Sequence, residues 1–357
     1  MRVPVRASLQ EIEEYKPGKL VKGAIKLSSN ENPLGPSPKV IREIVKRLEA
    51  GELNLNVYPW EKNEEELRDE ISRYVCGGSA KDNIVLGAGV DGVLDTLARI
   101  FIANGDEALI PIPTFSLYES LVKIAGGVPR YIKRKSGENF DVPVKDLISA
   151  CNEKTKLIFI SSPNNPTGNC IPEDEIREIT ESVDSRAMVV IDEAYAEFAD
   201  SSLVNLVTEY ENVAVMRTFS KAFGLAGLRV GYGIIPEWLT SPYKKVAMPF
   251  SVNSIAIKAA IAALRDQAHL RKTVELVKHE RAFLTENLRR VFTVYPSEAN
   301  FVLADVSPAK SAVVCAELMK RGIIVRDCSS FRGAGDSFIR VTVGTREQNE
   351  KVVEALI

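Results

Sequence analysis

Histidine is almost missing from this chain: His269 and His279 are the only two in 357 residues. Both fall in a polar, helix-like stretch, which argues against a histidine-based triad or a histidine metal cluster. Cysteine is sparse too. Cys76, Cys151, Cys170, Cys315 and Cys328 are odd in number and widely spaced, with no Cys-x-x-Cys pair. That pattern points away from a disulfide framework or a zinc site and toward reduced thiols, so no metal is expected. No stretch reaches the roughly 18 apolar residues of a membrane span, and the segment 1–19 lacks the apolar core of a signal peptide. The expected location is the cytoplasm, away from any membrane. No long basic run disturbs the balance of 46 Lys plus Arg against 48 Asp plus Glu, so nucleic acid is not an expected partner. A small-molecule ligand is.

What is present suits a soluble cleft protein. Hydrophobic residues make up 45% and charged residues 26%, enough to bury a sizeable core, and the length favours a large domain with a smaller companion. Short β-rich runs alternate with helical patterns from about residue 60 to 240: Ile84–Leu86, Ala108–Ile110, Leu157–Ile160, Met188–Ile191 and Val213–Met216. The alternation predicts an α/β fold with a mostly parallel sheet. Leu67, Ile71, Tyr74 and Val75 recur at helical spacing, as do Ile176, Ile179 and Val183 behind a Pro172 suited to a first helical turn. An Ala-rich stretch, Ile255–Leu264, then charged helices and short strands at Phe301–Leu303 and Phe338–Val341, read as a smaller α+β C-terminal domain. The expected division is an N-terminal arm over 1–30, a large domain over 31–245 and a small domain over 246–357. Pro236, Pro242 and Pro249 mark the second boundary.

In open α/β sheets ligands gather beyond the carboxyl ends of the strands. Three such ends are unusually polar. Leu157–Ile160 runs into Ser161-Ser162-Pro163-Asn164-Asn165-Pro166-Thr167-Gly168, Met188–Ile191 into Asp192-Glu193-Ala194-Tyr195, and Val213–Met216 into Thr218-Phe219-Ser220-Lys221. A lysine in a low-dielectric cleft can condense with an aldehyde once part of it is unprotonated. Pyridoxal 5'-phosphate (PLP) is the aldehyde cofactor that uses this. Its ring needs a protonated pyridine nitrogen, which Asp192 could hold, and a polar partner for its 3-hydroxyl, which Tyr195 and Asn165 could supply. Singly, Asn-Asn-Pro-Thr-Gly is more often a turn and Asp192 as readily a helix cap; together they point to one site.

A phosphate dianion wants amides, hydroxyls and a guanidinium. Gly87-Ala88-Gly89-Val90-Asp91-Gly92 follows a strand and opens a helix, while Thr218, Ser220 and Arg229 flank Lys221. The glycine loop also matches the dinucleotide fingerprint G-x-G-x-x-G. Its downstream acids, Asp106 and Glu107, precede the next strand instead of ending it, so the dinucleotide reading is rejected. A plain βα turn stays open as the alternative.

Asn165-Pro166-Thr167-Gly168, Asp192-Glu193-Ala194-Tyr195 and Ser220-Lys221-Ala222-Phe223-Gly224-Leu225-Ala226-Gly227-Leu228-Arg229-Val230-Gly231 together resemble the fold-type-I PLP aminotransferases. Tyr15–Lys19, Leu27–Pro36, Val325–Asp327 and Ile339–Thr345 carry the likeness toward both ends, where it is most similar to the histidinol-phosphate aminotransferases. The resemblance implies a fold-type-I PLP transferase with Lys221 as Schiff-base residue and proton shuttle. Asp192 would pair with the pyridine nitrogen, and Tyr195 and Asn165 would bind the 3-hydroxyl. Phe115 would stack on the ring. Val90 and Asp91 main-chain groups, Thr218, Ser220 and Arg229 would hold the phosphate, joined by Tyr58 from a second subunit, which implies a homodimer with shared active sites. Arg340 would bind the carboxylate of glutamate, and Arg326, Tyr15 and Asn32 would contact the phosphorylated amino alcohol. Arg326 could instead be a surface partner of Asp327. The implied reaction interconverts histidinol phosphate and 2-oxoglutarate with imidazole-acetol phosphate and glutamate in histidine biosynthesis. Gly92, Phe115 and Trp60 depart from the family pattern, which keeps open a broad aromatic aminotransferase or an O-phosphothreonine decarboxylase. A ligand-binding regulator is a further alternative that DNA binding would reveal.

Overall fold

Three consecutive strands, Leu157–Ile160, Met188–Ile191 and Val213–Met216, are apolar at every position instead of every second one, as strands covered on both faces must be. The computed structural model builds the expected layers around them. It describes residues 21–76, 81–135 and 139–357, with Gly137 and Val3, Val5, Arg6, Leu9, Ile12 and Glu14. In chain order the elements are β1 (Ile25–Leu27), α1 (Pro38–Glu49), α2 (Glu61–Cys76), β2 (Ile84–Ala88), α3 (Gly89–Phe101), β3 (Glu107–Ile112), α4 (Leu117–Ala125), β4 (Val128–Lys133), α5 (Val144–Ala150), β5 (Thr155–Ser161), α6 (Glu173–Val183) and β6 (Met188–Asp192). They continue with α7 (Leu206–Glu209), β7 (Val213–Thr218), β8 (Val230–Ile234), α8 (Glu237–Val246), α9 (Ser254–Leu264), α10 (Gln267–Leu288), β9 (Thr293–Val294), β10 (Phe301–Asp305), α11 (Ser311–Lys320), β11 (Ile323–Asp327), β12 (Phe338–Thr342) and α12 (Arg346–Leu356).

The first sheet has seven strands in the order β2-β8-β7-β6-β5-β3-β4. Only the pairings of β8, with β2 and with β7, are antiparallel. One face packs Val93, Leu94, Leu97 and Tyr118 from α3 and α4 against Ile110, Phe159, Val190 and Met216. The other packs Leu67 and Ile71 from α2, Ile176 and Ile179 from α6, and Ile257 from α9 against Leu109, Ile158, Ile191 and Val215. The alternation of strand residues between the two cores is the period-2 rule of a sheet buried on both sides. Pro172 differs from expectation by one step: it is the cap residue in front of α6, not part of its first turn.

A second sheet of five strands runs β1-β11-β12-β10-β9. Ile25–Leu27 pairs in parallel with Ile323–Val325, so a strand from the segment assigned to the N-terminal arm joins the C-terminal sheet. The chain then enters the space between the two sheets at Ser28, Ser29 and Asn30, which line the cleft.

Candidate active site

The register fixes where chemistry can gather. Ser161 of β5 pairs with Asp192 of β6, and Asp192 with Met216 of β7, so the three parallel strands end side by side and their loops open into one cleft. Asn165, Asp192, Tyr195, Thr218, Ser220 and Lys221 all line it.

Lys221 Nζ donates to the Ser29 carbonyl at 3.1 Å and sits 5.6 Å from the centre of the Tyr195 ring. Burial pushes its amine down to about 8, and the nearby Arg340 guanidinium adds to the shift. A lysine so placed is partly neutral near physiological pH, as a nucleophilic amine must be.

Asp192 is 5% exposed. Burial raises its carboxyl to about 6, against the pull of two donors: the Tyr118 hydroxyl at 2.6 Å and the Ala194 amide at 3.0 Å. Tyr118 is buried, stacked on Phe159 with ring centres 5.0 Å apart, and it meets Phe115 edge-on at 5.9 Å. Asn30 organises the opposite wall. Its side-chain amide donates to the Tyr195 hydroxyl at 2.9 Å, its Oδ1 accepts from Thr342 at 2.9 Å, and its carbonyl accepts from Asn300 at 3.0 Å. Its φ of 56° is left-handed, a conformation asparagine tolerates better than most residues. With its oxygen accepting from Asn30, the Tyr195 hydroxyl keeps its own proton to donate into the cleft.

At the other end the turn after β2 opens α3 with Gly89 at φ +72°, placing Val90 and Asp91 at the helix N-terminus in the cleft. Arg229, itself left-handed at φ 54°, donates to Asp91 at 2.7 Å and to Ser220 Oγ at 3.4 Å. A Cβ at Gly89 would lie 2.5 Å from Arg229 Nη2, and one at Gly231 would lie 2.3 Å from the Val90 nitrogen. Backbone and guanidinium can converge this closely only because these positions lack side chains. Helix amides, the Ser220 and Thr218 hydroxyls and one guanidinium form a donor set that fits a phosphate group.

The wall of the cleft formed by β11 and β12 carries two guanidinium groups. Arg340 donates to Asn165 Oδ1, and to the Ser28 carbonyl at 2.7 Å. Arg326 lines the cleft and donates to Ser330 at 3.2 Å, while Asp327, its suggested surface partner, accepts from Ser329 and Ser311. Asn32 is not brought to the cleft. Its amide donates to the Ala222 carbonyl at 2.8 Å and its Oδ1 accepts from the Leu34 amide at 2.8 Å, so both ends are spent on backbone behind the lysine turn. Tyr58 is 73% exposed and stacks on Phe250, outside the cleft of its own chain. Tyr15 lies outside the described residues. Sequence reading overlooked Tyr118, one helical turn beyond Phe115, and Asn30, which lay inside a quoted motif without a role. Among the described residues no group of acidic, cysteine or histidine side chains is placed to hold a metal, and no helix is long and apolar enough to cross a membrane.

Known proteins of one family match the chain over nearly its whole length. The family model described as aminotransferase class I and II matches residues 22–356. A histidinol-phosphate aminotransferase of Methanosarcina mazei is 50% identical, the match covering 98% of this chain and 95% of that protein. The crystal structure of the histidinol-phosphate aminotransferase from Clostridium acetobutylicum superposes with a TM-score of 0.84 at 29% identity, over 93% of this chain and 98% of the other. That of Sinorhizobium meliloti, in complex with pyridoxal-5'-phosphate, reaches a TM-score of 0.86 at 23% identity, over 99% and 96%, and speaks for the fold alone. A fold-type-I α/β architecture and half of all positions shared with such a relative place the chain in the class I and II aminotransferase family, among the histidinol-phosphate aminotransferases.

Proposed function

We propose that this chain binds PLP at Lys221 and interconverts histidinol phosphate and 2-oxoglutarate with imidazole-acetol phosphate and glutamate, in the cytoplasm, as a step of histidine biosynthesis. One observation carries the reading: a buried lysine with its amine lowered to about 8 shares a cleft with a buried carboxylate and a cluster of hydroxyl and guanidinium donors at a helix N-terminus. The relatives' names support the substrate. When bound, the cofactor supplies an aldehyde for an amine to condense with and a ring that withdraws electrons from the reacting carbon.

The protein's side chains do the rest. Asp192, ionised, holds the proton on the ring nitrogen. Tyr195 and Asn165 hydrogen-bond the 3-hydroxyl, and Phe115 covers the ring face. The first amides of α3, with Thr218, Ser220 and Arg229, would hold the phosphate. Lys221 Nζ, when neutral, takes the proton from the amine-bearing carbon and returns it. Arg340 receives the glutamate carboxylate, and Arg326 with Tyr15 the phosphate of the amino alcohol. Tyr58 reaches the cofactor phosphate of the partner in a homodimer. Exposed Leu55, Trp60, Met248 and Phe250 around it supply the apolar surface such a dimer would cover.

The test is a titration of the purified, cofactor-loaded protein with histidinol phosphate, phenylalanine and O-phosphothreonine, following the visible absorbance of the cofactor. Loss of the band at the lowest concentration with histidinol phosphate is expected. Phenylalanine acting first would make it an aromatic aminotransferase, and carbon dioxide released from O-phosphothreonine would make it a decarboxylase.

A further inference from the structure

Arg326 on β11 and Arg340 on β12 are direct cross-strand partners, so two guanidinium groups enter the cleft side by side. Like charges in opposed positions repel unless something separates them. Phe331 is within cation–π reach of both, and Phe301 of Arg340, whose Cζ is 5.2 Å from its ring centre. The Phe331 ring centre is 5.5 Å from Arg326 Cζ and 5.9 Å from Arg340 Cζ, and Phe331 is buried and lines the cleft. An aromatic ring in contact with each guanidinium offsets part of the repulsion.

The residue after it reaches across to the other sheet. Arg332 donates from Nε and Nη2 to the two carboxylate oxygens of Glu119, each at 2.9 Å, and its Cζ lies 4.7 Å from the Tyr131 ring centre. Glu119 belongs to the first turn of α4, beside cleft-lining Tyr118, and also accepts from Lys123 at 2.8 Å. Partial burial opposes its ionisation, yet the hydrogen bonds from Arg332 and Lys123 hold its carboxyl down at about 2. Gly333, at φ +83°, follows so closely on the first sheet that a Cβ there would lie 3.1 Å from Ile112 Cδ1. A lone half-exposed ion pair is worth little. This one is bidentate, backed by a second cation and covered by a ring, which gives it a single geometry.

We propose that Arg332 and Glu119 form a clasp between the loop 331–337 and α4 that holds Phe331 against both Arg326 and Arg340, and thereby positions the two guanidinium groups that receive substrate anions. Both are positioning residues. The inference rests on the reading that those arginines bind the glutamate carboxylate and the substrate phosphate.

The test compares cofactor-loaded wild type with Glu119→Gln, Arg332→Gln and the double variant. Each single change is expected to raise KM for both glutamate and histidinol phosphate roughly three- to tenfold while kcat stays within about twofold. The double variant should be no worse than either single, because both remove one interaction. Backbone amides of 329–335 should exchange with deuterium faster in all three. Unchanged KM beside faster exchange, a fall in kcat with KM constant, or additive effects in the double variant would each overturn the clasp. If wild type acts on neither substrate, the functional reading fails by itself. The clasp is then judged by calorimetric binding of inorganic phosphate: weaker in the variants supports it, equal affinity refutes it.

Discussion

At the scale of single residues the site is governed by burial, which pushes the lysine and the carboxylate toward their neutral forms. Lys221 at about 8 means that the neutral fraction needed to attack an aldehyde climbs as pH rises through 8. The rate at which cofactor-free protein takes up PLP should therefore rise roughly tenfold between pH 7 and 9 and then level off. Stopped-flow absorbance would read this, and a rate still climbing above pH 10 would mean an ordinary lysine. In the role proposed for it Asp192 faces the opposite demand, to stay ionised although burial raises it to about 6. Tyr118→Phe removes one of its two donors and leaves a buried oxygen unsatisfied. PLP should then bind roughly tenfold more weakly or worse, with the fold intact by circular dichroism. Unchanged affinity would show that the hydroxyl contributes nothing to the carboxylate.

At the scale of elements the deciding feature is that β5, β6 and β7 end in register, which turns three unrelated loops into one site. Gly231 of β8 serves the same end. Gly231→Ala would drive a methyl against the Val90 nitrogen and part β8 from the start of α3. It should lower stability by about 1–3 kcal/mol and weaken PLP binding, measured by denaturant unfolding and cofactor titration. Those elements also mark how far sequence reasoning reached. The buried parallel strands were legible because unbroken apolar runs have few other uses. So was the convergence of Lys221, Asp192, Asn165 and Tyr195 on one cleft, since they stand directly after such runs or within a motif. β8 was not, because Val230-Gly231-Tyr232-Gly233-Ile234 looks like the tail of a motif until the close approach of Val90 to Gly231, and of Met216 and Val93 to Gly233, explains its glycines. Nor was β4, an edge strand with half its residues exposed, or β1, whose partner lies some three hundred positions along the chain. The place of Asn32 was not legible for a related reason. The residue shares a polar segment with Asn30, and only the backbone path decides which of the two turns inward.

At the scale of the whole molecule the cleft is a joint product of two sheets and, on the reading advanced above, of two chains. Ser28 to Asn30 bring the first sheet's lysine and tyrosine into contact with the second sheet, and Arg340 reaches back to Asn165. If Tyr58 completes the partner's site, Lys221→Ala and Tyr58→Ala proteins should complement one another. Mixed dimers contain one site with both residues intact, so unfolding and refolding the two variants together should restore activity above the sum of the parents. No gain would place each site within a single chain.

The central claim is that Lys221 carries the cofactor, and borohydride reduction of the PLP-loaded protein followed by mass mapping of its peptides tests it most directly. The account predicts a pyridoxyl group fixed on the peptide containing Lys221 and none in Lys221→Ala. A pyridoxyl group on another lysine, or on none, would contradict it.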